Sequence, residues 1–314
     1  MNRHYAGRVA LVVGLAVALA SCGWYGSLQA RKAFKEANVL YQQQEYKRAA
    51  EHYEAVLQAD PNLTAAYFYL ANSYDQLYKP ARAGEPENDA LLQKAVQNYQ
   101  LAAEREQNPK MKKLALEYLV ASYGPDKLND PDKAEPLIQQ MIQLDPTDPA
   151  NYFALGKMYE DSGRYDEAEQ IFIKAREAKP DDTGVYMQLA GFYNRQGDFV
   201  KTIEALQQRA TREPNNPEAH YTIATFYWDK AYRDFRLTDA QKSEYAGKGL
   251  QAVDKALQLN KDYVDAIVYK GLLLRVQAAI EKNADRQKQM LKEADALQAR
   301  AMELKKQKAT GVGD

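Results

Sequence analysis

The feature that most constrains the fold of this chain is a sequence period of about 34 residues. Pro180 and Pro214 lie one such period apart, and the segments that end at them, 150–180 and 184–214, agree at many positions. The matching pairs are Tyr152 and Tyr186, Leu155 and Leu189, Tyr159 and Tyr193, Gly163 and Gly197, and Tyr165 and Phe199. A period of this length is typical of arrays in which small helical units stack on their neighbours.

Each unit has the pattern of two helices joined by a turn. Leu155 and Tyr159 are four residues apart and therefore share one face of a helix. Gly163 falls where the turn is expected, and Pro180 ends the unit because proline cannot continue a helix. With 12 prolines and 16 glycines in 314 residues, helix breakers are few. One helix pair cannot bury its apolar face alone, so the pairs must stack.

These residues resemble the tetratricopeptide repeat, a helix–turn–helix unit that has this same period. More divergent copies begin near residues 33, 65, 114 and 218, and the polar pair at 264–306 suits a solvent-facing cap. The resemblance covers residues 31–306 and implies an all-α, right-handed superhelical solenoid of about seven repeats, with about 14 main helices. A generic helical bundle with chance similarity is the alternative.

Two of the copies are interrupted by extra residues. One insertion is centred on "KPARAGEPEND" and lies between Tyr74 and Ala95. The other is "AYRDFRLTDAQKS", in which Thr238 is a predicted helix cap.

The N-terminal segment has the pattern of a secretory signal. A short positive stretch is followed by 12 apolar residues, from Val9 to Ala20, which is too few for a bilayer-spanning helix. The next residues complete Leu19-Ala20-Ser21-Cys22, which resembles the lipobox of bacterial lipoproteins. The resemblance implies cleavage after residue 21 and lipid attachment to Cys22, the only cysteine of the chain. An ordinary signal peptide with an incidental cysteine is the alternative.

The predicted organisation has four parts. A cleaved lipoprotein signal covers residues 1–21, and a lipidated N-terminus with a short linker covers 22–30. The repeat solenoid covers 31–306, and a disordered tail covers 307–314. The lipoprotein resemblance implies a lipid-anchored protein of the cell envelope, and Gly23 implies the outer membrane if the host has two membranes.

Charge and chemistry exclude several classes of function. The chain has 42 basic and 43 acidic residues, without the basic excess of a nucleic-acid-binding protein. Its histidines are His4, His52 and His220, and the last two are about five repeats apart. No metal-ligand cluster, nucleophile motif or phosphate-binding loop is visible in the sequence. We therefore predict no enzyme activity, no cofactor, no metal and no nucleic-acid partner.

The resemblance places a binding groove on the concave face, which the first helix of each pair lines in tetratricopeptide proteins. Exposed aromatic side chains in such a groove suit the anchoring of peptides or helices. The alternative is that these rings fill the interfaces between repeats. The candidate groove residues are Phe34, Asn38, Tyr41, Phe68, Asn72, Phe153, Glu160, Met187, Asn194, Tyr221 and Trp228.

One binding mode of the family is disfavoured. Chaperone-adaptor repeats hold a C-terminal carboxylate with lysine and asparagine side chains from adjacent first helices. Asn38 and Asn72 occupy a suitable register, but Phe34 and Phe68 stand where basic partners are expected. A carboxylate clamp is therefore not expected.

The predicted function is that of a lipid-anchored scaffold or adaptor that binds partner proteins, within an envelope assembly, secretion or pilus complex. The alternative is a component of polysaccharide synthesis or export, or of peptidoglycan processing, with an aromatic groove that contacts glycans. The oligomeric state is left open by the sequence.

Overall fold

The structure, a computed structural model, describes residues 26–309, so the predicted signal, Cys22 and the last five residues lie outside the described part. Within that part it holds fourteen α-helices, one 3₁₀ turn and no β-strand, so the predicted all-α fold is confirmed. Helix α1 covers residues 26–42. The others are α2 (Tyr46–Ala59), α3 (Ala65–Leu77), α4 (Pro86–Arg105), α5 (Pro109–Ser122), α6 (Pro131–Leu144), α7 (Pro149–Asp161), α8 (Tyr165–Ala178), α9 (Thr183–Arg195), α10 (Phe199–Arg212), α11 (Pro217–Arg233), α12 (Asp239–Leu259), α13 (Val264–Ile280) and α14 (Ala284–Ala309).

Local sequence sets where the helices begin and end. The side chains of Asp148 and Asp182 accept hydrogen bonds from the first backbone N–H groups of α7 and α9, which satisfies donors that have no partner within the helix. Gly163 and Gly197 follow the first helices of their pairs with φ angles of 74° and 75°. Other residues rarely adopt this left-handed conformation, so the predicted turn at Gly163 is confirmed.

The chain forms two compact units, one ending at Gly163 and the other starting at Arg164. In the first unit, small residues at the centres of the first helices, Ala37, Ala71 and Ala115, are completely buried. The large rings of Tyr53 and Tyr99 on the second helices are buried among them. Small and large side chains therefore alternate between facing helices, which allows close packing.

The second unit contains a core of aliphatic residues between α11, α12 and α13. Ala224, Val253 and Leu273 are completely buried there. Gly249 in α12 faces this core so closely that an added Cβ would lie 2.7 Å from Leu273 Cδ2 and 3.2 Å from Tyr227 Cβ. A glycine is required here by the close approach of the helices.

Both insertions form ordered structure. Pro80–Arg82 is the 3₁₀ turn, and the Asn88 side chain holds it by donating to the carbonyls of Lys79 and Arg82. At the second insertion, Thr238 and Gln241 form a capping box at the start of α12. The predicted cap at Thr238 is therefore confirmed.

The ends of the repeat region differ from the predicted boundaries. Residues 26–30 of the predicted linker are helical, and Ala30 is completely buried, so α1 begins before residue 31. At the other end, α14 continues to Ala309 and includes the first three residues of the predicted disordered tail. These three residues are Gln307, Lys308 and Ala309. All are good helix formers, so their intrinsic propensity favours continuation of the helix. None of the described helices is long and apolar enough to cross a membrane.

Candidate functional site

Two of the predicted groove residues lie at a cleft in the second unit, formed by α9, α11 and α13. Each of these is the first helix of a pair, as the resemblance implied. The cleft has a volume of about 300 Å³. It contains two predicted groove residues, Asn194, which is exposed, and Trp228, which is half-buried. We call it the aromatic cleft; its lining is Asn194, Thr225, Phe226, Trp228, Asp229, Arg233 and Tyr269.

Trp228 is part of a ladder of five aromatic rings beside this cleft. Its indole stacks on Tyr232 with centroids 5.2 Å apart and an interplanar angle of 10°. It meets Tyr269 edge to face at 5.4 Å. Tyr269 in turn contacts Tyr221 at 5.4 Å, and Tyr221 contacts Tyr263 at 5.1 Å. Such contacts hold the rings in fixed positions, so the cleft presents a preformed aromatic wall.

Polar groups line the rim of the aromatic cleft. Arg233 Nε lies 2.8 Å from Asp229 Oδ1, and both side chains are exposed. Burial and the nearby Tyr269 raise the pKa of Tyr221 to about 12, so this phenol stays protonated at neutral pH. The rim therefore offers a cation, a carboxylate and the Asn194 amide to a ligand that contacts the rings.

The sequence did not predict Tyr269, Phe226 or Arg233. Phe226 and Arg233 lie on α11 at repeat positions that differ from those of the candidate groove residues Tyr221 and Trp228. Tyr269 lies after the second insertion, where the regular repeat spacing is lost. The sequence therefore held no periodic signal for Tyr269, although its α13 contacts α11 directly.

Five of the predicted groove residues lie close together in the first unit, but they pack against neighbouring side chains and do not form an open groove. Phe68 touches the rings of Tyr69, Tyr99 and Tyr118 at centroid distances of 5.3 to 5.8 Å and is only 7 % exposed. Phe34 is half-buried and packs on Tyr53 and Tyr69. The prediction that Phe68 lines an open groove is wrong, because large rings from α4 and α5 cover it.

The polar members of this group are bonded to tyrosines. Tyr41 donates its hydroxyl proton to Asn72 Oδ1 at 2.5 Å, and Asn72 Nδ2 donates to the Tyr99 hydroxyl at 3.1 Å. Asn38 Oδ1 accepts from the Tyr53 hydroxyl at 2.6 Å. Asn72 is 2 % exposed, so its predicted place in the groove is wrong. Both asparagine side chains are therefore engaged by tyrosines of the first unit.

The remaining predicted residues are distributed over α7 and α9. Phe153 is half-buried, whereas Glu160 is buried at 8 % exposure; Glu160 lies one turn after the buried Gly156 on a covered side of α7, so it does not line an open groove. Met187 is half-buried, and its sulfur accepts a hydrogen bond from Arg209 Nη1 at 3.1 Å. Arg209 also pairs with Glu213, at 2.9 Å. Met187 is therefore engaged by α10.

Within residues 26–309, no group of three or more His, Cys, Asp or Glu side chains is arranged to hold a metal ion. The chemistry of the aromatic cleft is that of recognition, because its groups can stack, donate and accept hydrogen bonds, and pair with charges.

Comparison with known proteins identifies the repeats. Residues 30–63 and residues 127–190 each match a family of tetratricopeptide repeats. The chain carries tetratricopeptide repeats. The matches include the first helix pair and much of the central region where the repeat period is clearest.

One solved structure with a tetratricopeptide fold matches most of the chain. The C-terminal part of a TPR repeat-containing protein from Cytophaga hutchinsonii is 17 % identical, with a TM-score of 0.55; the match covers 86 % of this chain and 98 % of that one. Two others have a TM-score of 0.40. PilW, a type IV pilus biogenesis factor, is 17 % identical, and the match covers 74 % of this chain and 94 % of that one. YrrB, a TPR protein with an unusual peptide-binding site, is 21 % identical, and the match covers 60 % of this chain and 89 % of that one. The first match establishes that the tetratricopeptide-type fold extends over most of this chain.

Proposed function

We propose that this protein is a scaffold or adaptor that binds a partner protein through the aromatic cleft. The observation that carries the proposal is the preformed ring wall around Trp228, which is accessible and has a polar rim. Rigid aromatic anchors beside a few polar groups are the usual centres of protein-binding energy. A helix or peptide with an exposed apolar side chain would fit this surface, since that side chain would stack against the rings.

The second part of the proposal is a lipid anchor at Cys22 in a bacterial cell envelope, on the outer membrane if the host has two membranes. It is supported by the resemblance of residues 19–22 to a lipobox and by the positive stretch and short apolar run that precede them. Two or more acyl chains hold a protein firmly to a bilayer. An assembly, secretion or pilus complex is the proposed setting.

Crosslinking from within the cleft tests the binding function. A photoreactive amino acid replaces Thr225, which lines the cleft, and a control places it at Val200, which is 64 % exposed on α10 of the same unit. We expect a specific protein adduct from position 225 in intact membranes and none from position 200. Equal adducts from both positions would contradict the proposed site, and recovery of a glycan at position 225 would favour the glycan-handling alternative.

Metabolic labelling tests the anchor separately. Radioactive palmitate should label the native chain, and the Cys22→Ser chain should carry no label. Label that persists after Cys22→Ser would refute lipid attachment at this residue without affecting the cleft proposal.

A further inference from the structure

The outward face of α1 carries exposed cations and aliphatic side chains together. Leu28 and Val39 are 54 % and 50 % exposed. They are eleven residues apart, about three turns of helix, so they lie on nearly the same line along it. The exposed cations Arg31, Lys32 and Lys35 lie on or beside this line. The face therefore combines two aliphatic contacts with positive charge on both sides.

The opposite face of α1 holds the helix in the unit. Ala30 and Ala37 are completely buried, and Leu40 is nearly so. Because these buried residues fix the rotation of α1 about its axis, the outward face stays turned to solvent. Isolated exposed aliphatic residues are common on protein surfaces, whereas this face combines two of them with three exposed cations.

The pairing of these cations differs from that of other cations in the first unit. Arg31, Lys32 and Lys35 form no salt bridge within residues 26–309. Other exposed arginines of the first unit do form one, with Arg48 paired to Glu45 and Arg82 paired to Glu85. One exposed carboxylate, Glu36, lies at the rim of the face, which leaves a net positive charge available to an external anion.

Chain length brings this face close to the predicted anchor. The helix is already formed at Gly26, four residues after Cys22, so at most about 14 Å of chain separates the lipidated residue from α1. Gly26 also lies beside the end of α2, where an added Cβ would be 3.5 Å from the Ala59 carbonyl. Helical side chains lean toward the N-terminus, so the three cations lean toward the anchored end.

From this arrangement we propose that the outward face of α1 docks on an anionic phospholipid surface. The cations bind lipid phosphates while Leu28 and Val39 enter the boundary between headgroups and acyl chains, as in interfacial amphipathic helices. The inference extends the proposed lipid anchoring, which it would supplement by fixing the orientation of the first unit on the membrane.

The test uses the mature-length chain from residue 22 with Cys22→Ser, so that no acyl chain contributes to binding. Its partition onto vesicles made from seven parts phosphatidylcholine and three parts phosphatidylglycerol is compared with that onto pure phosphatidylcholine, at low and at physiological salt. We expect binding to the anionic vesicles only, weakening as salt rises. Because the acyl chain is absent, this result does not depend on whether Cys22 is lipidated in cells.

A matched pair of variants locates the surface. Lys32→Glu with Lys35→Glu reverses two charges of the face, whereas Lys47→Glu with Lys79→Glu reverses two exposed lysines of the same unit that lie outside α1. Since a basic residue near an anionic surface contributes roughly fivefold in partitioning, the first pair should lower binding by at least about tenfold. The second pair should change it by less than about threefold.

Equal losses from both pairs, or binding that is indifferent to lipid charge, would overturn the proposal. So would a first pair that lowers membrane association in cells but leaves vesicle binding intact, because the face would then contact a membrane protein. Lys32→Gln with Lys35→Gln removes the same two charges without reversing them and should lower vesicle binding less. Circular dichroism checks that each variant retains its helices.

Discussion

The indole of Trp228 stands edge-on to the ring of Tyr269, with centroids 5.4 Å apart and the planes at 82°. These residues lie on α11 and α13, the first helices of successive pairs, so the contact fixes one helix surface against the next. It also creates the wall of the aromatic cleft.

Removing the indole should weaken partner binding more than it affects folding. Trp228 is half-buried, and Trp228→Ala takes away its contacts with both Tyr232 and Tyr269. We expect capture of the crosslinked partner to fall at least about tenfold, as is usual for a central aromatic anchor, while the melting temperature changes by a few degrees. Phe235→Ala is the control, since Phe235 is 87 % exposed and lies outside the cleft. Parallel losses of binding and melting temperature in Trp228→Ala would show that the indole is core.

Asn72 should be required for the stability of the first unit. Asn72→Leu removes an acceptor for the Tyr41 hydroxyl and a donor to the Tyr99 hydroxyl in a buried setting. Because buried polar groups left without partners cost about 1–3 kcal/mol, we expect urea unfolding to show a loss of this size. Asn98→Leu, where the amide bonds the Lys94 carbonyl at an exposed site of α4, should change the unfolding free energy by less than about 0.5 kcal/mol. Equal free energies of unfolding for the two variants would show that the tyrosine–asparagine network does not contribute to stability.

Two glycines of α12 should respond oppositely to alanine. In Gly249→Ala the new Cβ meets Leu273 Cδ2 at 2.7 Å and Tyr227 Cβ at 3.2 Å, and overpacking of this kind costs about 1–3 kcal/mol. In Gly247→Ala the nearest atom is Gln277 Nε2 at 3.8 Å, so the gain in helix propensity of about 1 kcal/mol should appear. Thermal unfolding measures both changes. A stabilising Gly249→Ala would mean that α12 and α13 separate easily.

Stability should fall at high pH, and Tyr221 should contribute to this loss. Its pKa is raised to about 12 in the folded protein, mainly by burial and also by Tyr269, whereas it ionises near pH 10 in the unfolded chain. Between these values the unfolded state releases a proton that the folded state retains, so the free energy of unfolding decreases as pH rises from 10 to 12. Tyr221→Phe should reduce this slope and remove a late step from the absorbance titration of tyrosines. Loss of absorbance amplitude near pH 10 instead of near pH 12 would place Tyr221 in contact with solvent.

The repeat period predicted the helical architecture, and local sequence signals predicted several turns and caps. Gly163 adopts the left-handed turn conformation, and Thr238 caps α12 through hydrogen bonds to the nearby Gln241. Such features depend on neighbouring residues along the chain, so a single sequence contains the information. The helix boundaries at 26–30 and 307–309 were less well predicted, because helix ends depend on small differences in propensity and packing.

The exposure of the candidate groove was decided by tertiary structure alone. Phe68 and Tyr221 occupy the same repeat position, so the period gives both side chains the same direction from their helices. Phe68 is covered by Tyr99 and Tyr118 from the following helices, whereas Tyr221 is only half-buried and connects through Tyr269 to an open cleft. The period specifies where a side chain points, but the size and placement of the facing residues determine whether it ends in the core or at a surface. The sequence by itself therefore determined the stacked helix pairs and the lipobox-like pattern at Cys22, while packing determined that the accessible aromatic surface lies around Trp228.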